Sequence, residues 1–187
     1  MTNLLNYLKT KLLNFAGATV GYLAFIGLKY PVKKYQLQVS ERLWRGSRLK
    51  AVDIATLKSN GFKLIVNLCE ERDTDSKPSY MYGINCIQIP IIDNRPPTKE
   101  QMIHFLNLTL DDDNVPVYVH CQAGKGRTGC AVACYRMAIQ GWLPEDAILE
   151  AKKFGMGMPC QEEFLRVFAK EIELGRIELT IRRKLPD

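Results

Sequence analysis

The 187-residue sequence has only two histidines, and its six cysteines lack the spacing of a zinc-binding motif. We therefore expect no metal site, and no organic cofactor is expected either. Six cysteines in a chain of this length also do not indicate a small scaffold held together by disulfides. Internal repeats and low-complexity stretches are absent, which argues against a repeat protein.

Acidic residues are nearly absent from the first 50 positions, which contain nine lysines and arginines but only one acid, Glu41. These positions carry a net charge of +8, whereas the rest of the chain carries −2. Because the excess of basic residues is confined to the N-terminal part, we expect no nucleic-acid-binding surface on the remainder. An anionic lipid surface fits this charge distribution better.

Residues 12–28 form an uncharged apolar segment whose length is at the lower limit for a membrane-spanning helix. A signal anchor, a cleaved signal peptide, an interfacial helix and a helix packed on the domain are all compatible with it. We expect residues 1–30 to attach the protein to a membrane surface, on a side that the sequence does not define. A cytoplasmic location is the alternative. Residues 31–42 are predicted to be a linker.

After the linker, apolar β-branched runs alternate with helical patterns, which predicts a three-layer α/β sandwich with a mostly parallel central sheet flanked by helices. Ser47 is expected to cap the first helix, and Thr98 with Gln101 to form a capping box at the second. On the last helix, Phe164, Val167, Phe168 and Ile172 are expected to face the core. Strands are predicted at residues 43–47, 62–68, 86–91 and 115–119, and helices at residues 47–59, 98–110, 130–140, 144–155 and 161–174.

Residues 120–129 read His-Cys-Gln-Ala-Gly-Lys-Gly-Arg-Thr-Gly and join a predicted strand to a predicted helix. We call residues 121–127 the glycine-rich loop. A loop of this kind gathers free backbone N–H groups and the positive end of the helix dipole at one point. The sequence therefore predicts an anion-binding site, with Cys121 at its entrance.

Five residues separate Cys121 from Arg127, so that the loop can curl with both side chains at its rim. The N–H groups and the helix start favour a thiolate at Cys121, and a thiolate can attack phosphorus to form a phosphocysteine. The planar guanidinium of Arg127 can hold two phosphate oxygens. The expected phosphate-binding residues are Gln122, Ala123, Gly124, Lys125, Gly126 and Arg127.

The pattern His-Cys-x5-Arg-Thr-Gly resembles the signature of the cysteine-dependent protein tyrosine and dual-specificity phosphatases. With Ala-Gly-Lys-Gly inside it, the loop is most similar to that of the tensin-type phosphoinositide phosphatases and of related bacterial dual-specificity enzymes. The resemblance implies a phosphatase domain over residues 43–175, with a tail at 176–187. It also implies that Cys121 is the nucleophile, that Arg127 binds phosphate, that Thr128 hydrogen-bonds the departing sulfur and that His120 orders the loop.

Phosphate transfer to sulfur requires a proton for the leaving oxygen and then a base that activates water. Asp93 is suited to both steps, and its setting, Asp-x-x-Pro-Pro, again resembles the tensin-type enzymes. A turn-forming role before the two prolines is the alternative for Asp93.

Residues 67–72, Asn-Leu-Cys-Glu-Glu-Arg, resemble a tensin-type segment in which the cysteine forms a reversible disulfide with the nucleophile. The resemblance implies that Cys69 is a candidate redox partner of Cys121. A free cysteine buried at a strand end is the alternative.

Together these motifs predict a cysteine-dependent phosphatase that acts on phosphomonoesters. Lys125 and the basic N-terminal region favour inositol lipids or inositol phosphates, with phosphoproteins as the alternative. Gln122 stands where tensin-type enzymes carry a second lysine, which weakens the case for a highly phosphorylated lipid. An inactive phosphate-binding module and a rhodanese-type sulfur transferase are disfavoured, because Cys121, Arg127 and Asp93 are all present.

Overall fold

The computed structural model of the protein describes residues 37–71 and 76–181. The segment expected at residues 1–30, the first half of the linker (residues 31–36) and the last six residues of the tail lie outside the described residues. In the described part of the chain, no helix has the length and apolar character that crossing a membrane requires.

A five-stranded sheet forms the centre of the structure, with the strand order β1-β2-β5-β3-β4. Strand β1 runs antiparallel to β2, and all other neighbouring strands are parallel, as the sequence predicts. In chain order the elements are β1 (Leu37–Gln38), β2 (Leu43–Ser47), α1 (Ala51–Ser59), β3 (Leu64–Cys69), α2 (Ser76–Tyr82), β4 (Asn85–Ile91), α3 (Lys99–Leu110), β5 (Val117–Cys121), α4 (Gly126–Ala138), α5 (Pro144–Lys153) and α6 (Pro159–Glu173).

Two hydrophobic clusters, one on each face of the sheet, confirm the predicted three-layer sandwich. Ile65 and Tyr118 pack in one cluster with Ile54 of α1. Their strand neighbours Val66 and Val119 belong to the larger cluster, which includes the apolar residues of α3 to α6. Alternate residues of a strand point to opposite faces, so the central strands β3 and β5 are buried on both sides.

Several predicted helix boundaries are confirmed by specific interactions. At the start of α3, Thr98 Oγ1 accepts a hydrogen bond from the Gln101 N–H at 3.2 Å, and Gln101 Oε1 accepts one from the Thr98 N–H at 2.7 Å. This reciprocal pair is the predicted capping box. Gly141 and Gly155 follow α4 and α5 with φ values of +67° and +91°, which suit glycine after a helix end.

The prediction that Ser47 caps the first helix is wrong. Ser47 is the last residue of β2 and pairs in register with Cys121, so its backbone belongs to the sheet. Helix α1 starts only at Ala51, where the Asp53 carboxylate accepts a hydrogen bond from the Lys50 N–H at 2.8 Å. The difference arises because the strand ladder extends to the end of β2.

Two helices differ from the sequence-based expectation in other ways. Helix α2 was not predicted, since serine, proline and tyrosine residues within it are poor helix formers. On α6, Leu165 and Phe168 are buried, whereas Val167 is 56% exposed, so the prediction that Val167 faces the core is wrong. The core-facing stripe of α6 follows Leu165 and Phe168, which are three residues apart, and Val167 lies beside it.

Candidate active site

The glycine-rich loop begins where three parallel strands end. Strand β5 lies between β2 and β3, with Gly46 and Asn67 both in register with His120. Ser47, the last residue of β2, is opposite Cys121. Because the carboxyl ends of parallel strands meet at one edge of the sheet, β2 and β3 flank the loop.

Gly124 brings the loop against the end of β2. Its φ is +71°, and a Cβ atom there would lie 2.6 Å from the Gly46 carbonyl oxygen. The Gly124 carbonyl accepts a hydrogen bond from Arg45 Nη2 at 2.9 Å. A side chain at position 124 would therefore both strain the backbone and push the loop off β2.

Helix α4 begins inside the loop, at Gly126, four residues earlier than predicted. Its free N-terminal N–H groups consequently lie next to Cys121. A Cβ atom on Gly126 would lie 2.9 Å from Gln161 Oε1, so the helix start packs closely against α6. The early start gives the anion site the positive end of the helix dipole.

Cys121 is buried, and its thiol is surrounded by hydrogen-bond donors. Burial by itself raises the pKa of the thiol, but hydrogen bonds from the Thr128 hydroxyl and N–H, the Arg127 charge and the Gly124 N–H outweigh it. The pKa of Cys121 is therefore lowered from the ordinary value of 9.0. Among the groups that lower this pKa, the Thr128 hydroxyl has the largest effect.

Arg127 is held by two carboxylates. Its Nη1 and Nη2 donate to the two carboxylate oxygens of Glu71 at 2.7 and 3.0 Å, and Nη1 also donates to the Ile91 carbonyl at 3.1 Å. Nη2 lies 3.1 Å from Asp93 Oδ1. The Arg127 side chain is 1% exposed, whereas those of Glu71 and Asp93 are 41% and 64% exposed. The guanidinium thus joins the end of β3 to the loop that carries Asp93.

The charges of this pair shift both pKa values. Hydrogen bonds from Arg127 lower the pKa of Glu71 to about 2, against a smaller opposing effect of burial. Burial lowers the pKa of Arg127, but the Glu71 hydrogen bonds and the Cys121 thiolate charge outweigh it and raise the pKa above its usual value. Glu71 is therefore ionised at any pH near neutrality.

Asp93 lies on a turn directly after β4. Asn94 has a φ of +60°, and the Arg95 N–H donates to the Ile92 carbonyl at 3.1 Å, which closes the turn. Gln161 of α6 donates through Nε2 to the Arg95 carbonyl at 3.1 Å. The turn is thus tied to the helix that packs on the glycine-rich loop, which places Asp93 beside Arg127.

The structure also positions the predicted supporting residues. His120 is fully buried, and its Nδ1 lies 3.2 Å from the Cys121 carbonyl oxygen. Lys125 is exposed, and the methylene groups of its side chain lie against Gly155 in the turn between α5 and α6. Gln122 and Ala123 are also exposed at the loop.

Cys69 is a free cysteine buried at the end of β3, and burial raises the pKa of its thiol to about 12. A smaller effect in the same direction comes from the charge of Cys121. Among the described residues, no group of three or more side chains has the arrangement of a metal site.

Three residues at the site were not singled out from the sequence: Glu71, Arg45 and Gln161. Glu71 belongs to residues 67–72, the segment that also contains Cys69. Its position in that motif was the feature of the sequence that could have indicated it.

The guanidinium of Arg45 is buried and stacks 4.3 Å above the Phe154 ring. Burial lowers the pKa of Arg45 to about 10, although Glu150 and Cys121 act in the opposite direction. A lone arginine within an apolar strand was the signal for this residue.

A parallel sheet with a cysteine, a curled loop and an arginine at one strand end defines the class of the cysteine-dependent phosphatases. Residues 30–166 match the family model of a DSP-PTPase phosphatase fused to NAD+ kinase, and the chain belongs to this family.

Two relatives and one solved structure illustrate this relationship. Inositol diphosphatase DSP4 of Arabidopsis thaliana is 31% identical over 138 residues, which are 70% of this chain and 69% of DSP4. Phosphatidylinositol 3,4,5-trisphosphate 3-phosphatase cnrN of Dictyostelium discoideum is 31% identical over 147 residues. That match covers 72% of this chain but only 22% of cnrN, so the chain spans about a fifth of that relative.

The core catalytic domain of the PP-IP phosphatase SIW14 from S. cerevisiae has the same fold, with a TM-score of 0.67 and 22% sequence identity. The superposition covers 80% of this chain and 93% of the SIW14 domain.

Proposed function

We propose that this chain hydrolyses phosphomonoesters through a phosphocysteine intermediate. The observation that supports this most directly is the Cys121 thiol, whose pKa is lowered at the N-terminus of α4, next to the guanidinium of Arg127. A thiolate in this position faces the place where the loop N–H groups would hold a phosphate.

In the first step, the Cys121 sulfur attacks phosphorus and the ester P–O bond breaks. Asp93 donates its proton to the leaving oxygen, so that a neutral alcohol departs. In the second step, the Asp93 carboxylate removes a proton from water, which attacks the phosphocysteine. The S–P bond breaks, inorganic phosphate leaves, and the Thr128 hydroxyl hydrogen-bonds the returning thiolate.

Arg127 has to exchange partners during these steps. In the structure its Nη2 contacts both Glu71 and Asp93. A bound phosphate would compete with Asp93 for this nitrogen and free the Asp93 carboxyl group for the leaving oxygen. Glu71 retains its bond to Nη1 and keeps the guanidinium in place. We therefore assign Glu71 as a positioning residue.

The favoured substrates are phosphoinositides or inositol phosphates, and phosphoproteins are the second candidate. The exposed Lys125 of the loop supports the first class. The two relatives support it as well, since one is named an inositol diphosphatase and the other a phosphatidylinositol 3,4,5-trisphosphate 3-phosphatase. A panel of inositol phosphates, vesicles containing phosphoinositides and phosphotyrosine peptides, assayed for phosphate release, distinguishes the classes.

We also propose that residues 1–30 attach the enzyme to a membrane. Their uncharged apolar segment and the +8 charge of the first 50 residues support this proposal. After cell fractionation, the full chain should appear with the membranes and resist extraction by salt. Recovery in the soluble fraction would contradict the proposal.

The decisive test of the catalytic proposal is Cys121→Ser, which should abolish phosphate release while leaving phosphate binding and the melting temperature nearly unchanged. Cys86→Ser is the matched control, because Cys86 packs against the hydrophobic cluster on the face of the sheet that includes α1. Phosphatase activity in the Cys121→Ser variant would overturn the mechanism. Sulfur transfer from thiosulfate in place of phosphate release would assign the chain to the rhodanese-type class.

A further inference from the structure

Arg48 lies beside the glycine-rich loop and has no part in the catalytic steps above. It directly follows β2, and its backbone N–H donates to the Gln122 carbonyl at 3.2 Å. Its guanidinium donates through Nη2 to the side-chain oxygen of the same glutamine. Two hydrogen bonds therefore hold Arg48 at the loop residue that follows Cys121.

The charge of Arg48 is not neutralised by this contact. Within residues 37–71 and 76–181, its side chain bonds only the neutral amide of Gln122 and forms no ion pair. A guanidinium has five N–H donors, so most of them remain available in this partly exposed side chain. Arg127, in contrast, is paired with Glu71 and Asp93. Arg48 is thus an oriented cation that has no carboxylate partner among the residues that the structure describes.

The charge of Arg48 also acts, as a minor effect, on the buried thiol of Cys69. Burial sets the high pKa of the Cys69 thiol, and Arg127 and Arg48 both act against it. Lys125 is a second cation of the loop, and its side-chain methylene groups lie against Gly155. Arg48 and Lys125 therefore bring two positive charges to the glycine-rich loop in addition to the guanidinium of Arg127.

We propose that Arg48 binds a second phosphate of the substrate, next to the phosphate that is transferred to Cys121. This inference rests on the proposed function and specifies its substrates as molecules with two or more neighbouring phosphates. The planar guanidinium suits bidentate contact with phosphate oxygens. A phosphotyrosine residue has one phosphate and gains no contact. The second phosphate belongs either to a soluble inositol phosphate or to a lipid headgroup.

Binding measurements test this site independently of turnover. In the Cys121→Ser background, titration calorimetry compares inositol hexakisphosphate with phosphotyrosine before and after Arg48→Gln. We expect the affinity for the hexakisphosphate to fall about tenfold, as for loss of a charge-assisted hydrogen bond, and the affinity for phosphotyrosine to change less than about twofold. Vesicles with and without phosphatidylinositol 3,4,5-trisphosphate form the lipid arm, and the arm with the larger loss identifies the source of the second phosphate.

Two further variants separate a local contact from a general loss of charge. Gln122→Lys, added to Arg48→Gln, returns a positive charge to the same place and should recover most of the affinity for the hexakisphosphate. Arg176→Gln removes an exposed arginine of the tail that pairs with Glu171, and it should leave the affinity unchanged.

Three results would overturn the second-phosphate site. Arg48→Gln could lower the affinity for both ligands equally, or leave the affinity for the hexakisphosphate unchanged. Arg176→Gln could lower the affinity for the hexakisphosphate as much as Arg48→Gln does. The intact Cys121 protein is assayed for phosphate release in parallel. If no phosphomonoester releases phosphate, the proposed function is overturned, and the calorimetric result then tests only whether Arg48 binds a second phosphate. Release together with an unchanged affinity of Arg48→Gln for the hexakisphosphate overturns only the role of Arg48.

Discussion

Arg127 and Glu71 form a bidentate ion pair, with two parallel hydrogen bonds of 2.7 and 3.0 Å. The pair joins the last residue of the glycine-rich loop to the segment that follows β3. Since a guanidinium fork bound at two points cannot rotate freely, Glu71 defines the plane in which Arg127 meets a phosphate. Asp93 approaches the same guanidinium from the loop after β4.

We expect Glu71→Gln to reduce kcat/KM by about 10- to 100-fold, the effect of losing roughly 1.5–3 kcal/mol of charge-assisted hydrogen bonding. The variant keeps the size of the side chain but removes the charge that orients Arg127. Steady-state kinetics with an aryl phosphate measure the loss, and the affinity for inorganic phosphate should fall with it. Glu70→Gln is the control, because Glu70 is exposed and adjacent. Equal effects of the two substitutions would contradict a positioning role for Glu71.

We expect Asp93→Asn to reduce kcat by about 10²–10⁴ for substrates with poor leaving groups, because an amide cannot donate the required proton. For an aryl phosphate whose leaving group needs little protonation, the loss should be much smaller. A series of phosphate esters with leaving groups of increasing pKa measures this dependence. If the loss is the same across the series, Asp93 has only a structural role in the turn.

The lowered pKa of Cys121 predicts that this thiol reacts with iodoacetamide below pH 9.0, the ordinary thiol pKa. The thiolate forms as the pH rises through the pKa, so the reaction rate should increase and then level off. Thr128→Val removes a hydrogen bond to the thiolate and should move this midpoint up by about one pH unit or more. Burial raises the pKa of Cys69 and Cys130 to about 12, so both serve as internal controls in peptide mapping. An unchanged midpoint would show that the Thr128 hydroxyl does not act on the sulfur.

Mild peroxide should produce a disulfide between Cys69 and Cys121 if Cys69 is the redox partner. Peroxide oxidises the Cys121 thiolate to a sulfenic acid, and attack by the Cys69 sulfur forms the S–S bond with release of water. A reductant should restore activity. In Cys69→Ser the same treatment should drive Cys121 to sulfinic acid, which mass spectrometry detects, whereas Cys86→Ser should behave like the unaltered protein. Sulfinic acid as the only product in the unaltered protein would rule out this pairing.

Lys125→Ala should lower kcat/KM for multiply phosphorylated inositols or inositol lipids by about tenfold or more. Lys125 is an exposed cation of the glycine-rich loop, and we expect its ammonium to contact a further phosphate of a bound ring. Activity on a phosphotyrosine peptide should change much less. An equal reduction for both kinds of substrate would mean that Lys125 only raises the local positive potential.

Much of the fold was predictable because its signals are local. The β-branched runs of β3 and β5 predict buried strands, and Thr98 with Gln101 predicts the start of α3 through side-chain bonds to neighbouring residues. For the wrong prediction at Ser47, a contact distant in sequence determined the outcome. Ser47 has the chemistry of a helix cap, but its pairing with Cys121 keeps it in the sheet.

The sequence by itself determined the chemistry at the centre of the site, because the cysteine, the glycines and the arginine of the loop lie within seven consecutive residues. A short loop between a strand and a helix has few ways to arrange these groups. Only the tertiary structure decided which residues surround the loop. Glu71 follows β3, whereas Arg45 and Arg48 lie within and directly after β2. The parallel order of β2, β5 and β3 brings these two segments to the loop. Sequence separation carries no information about such contacts, which depend on the packing of strands into one sheet.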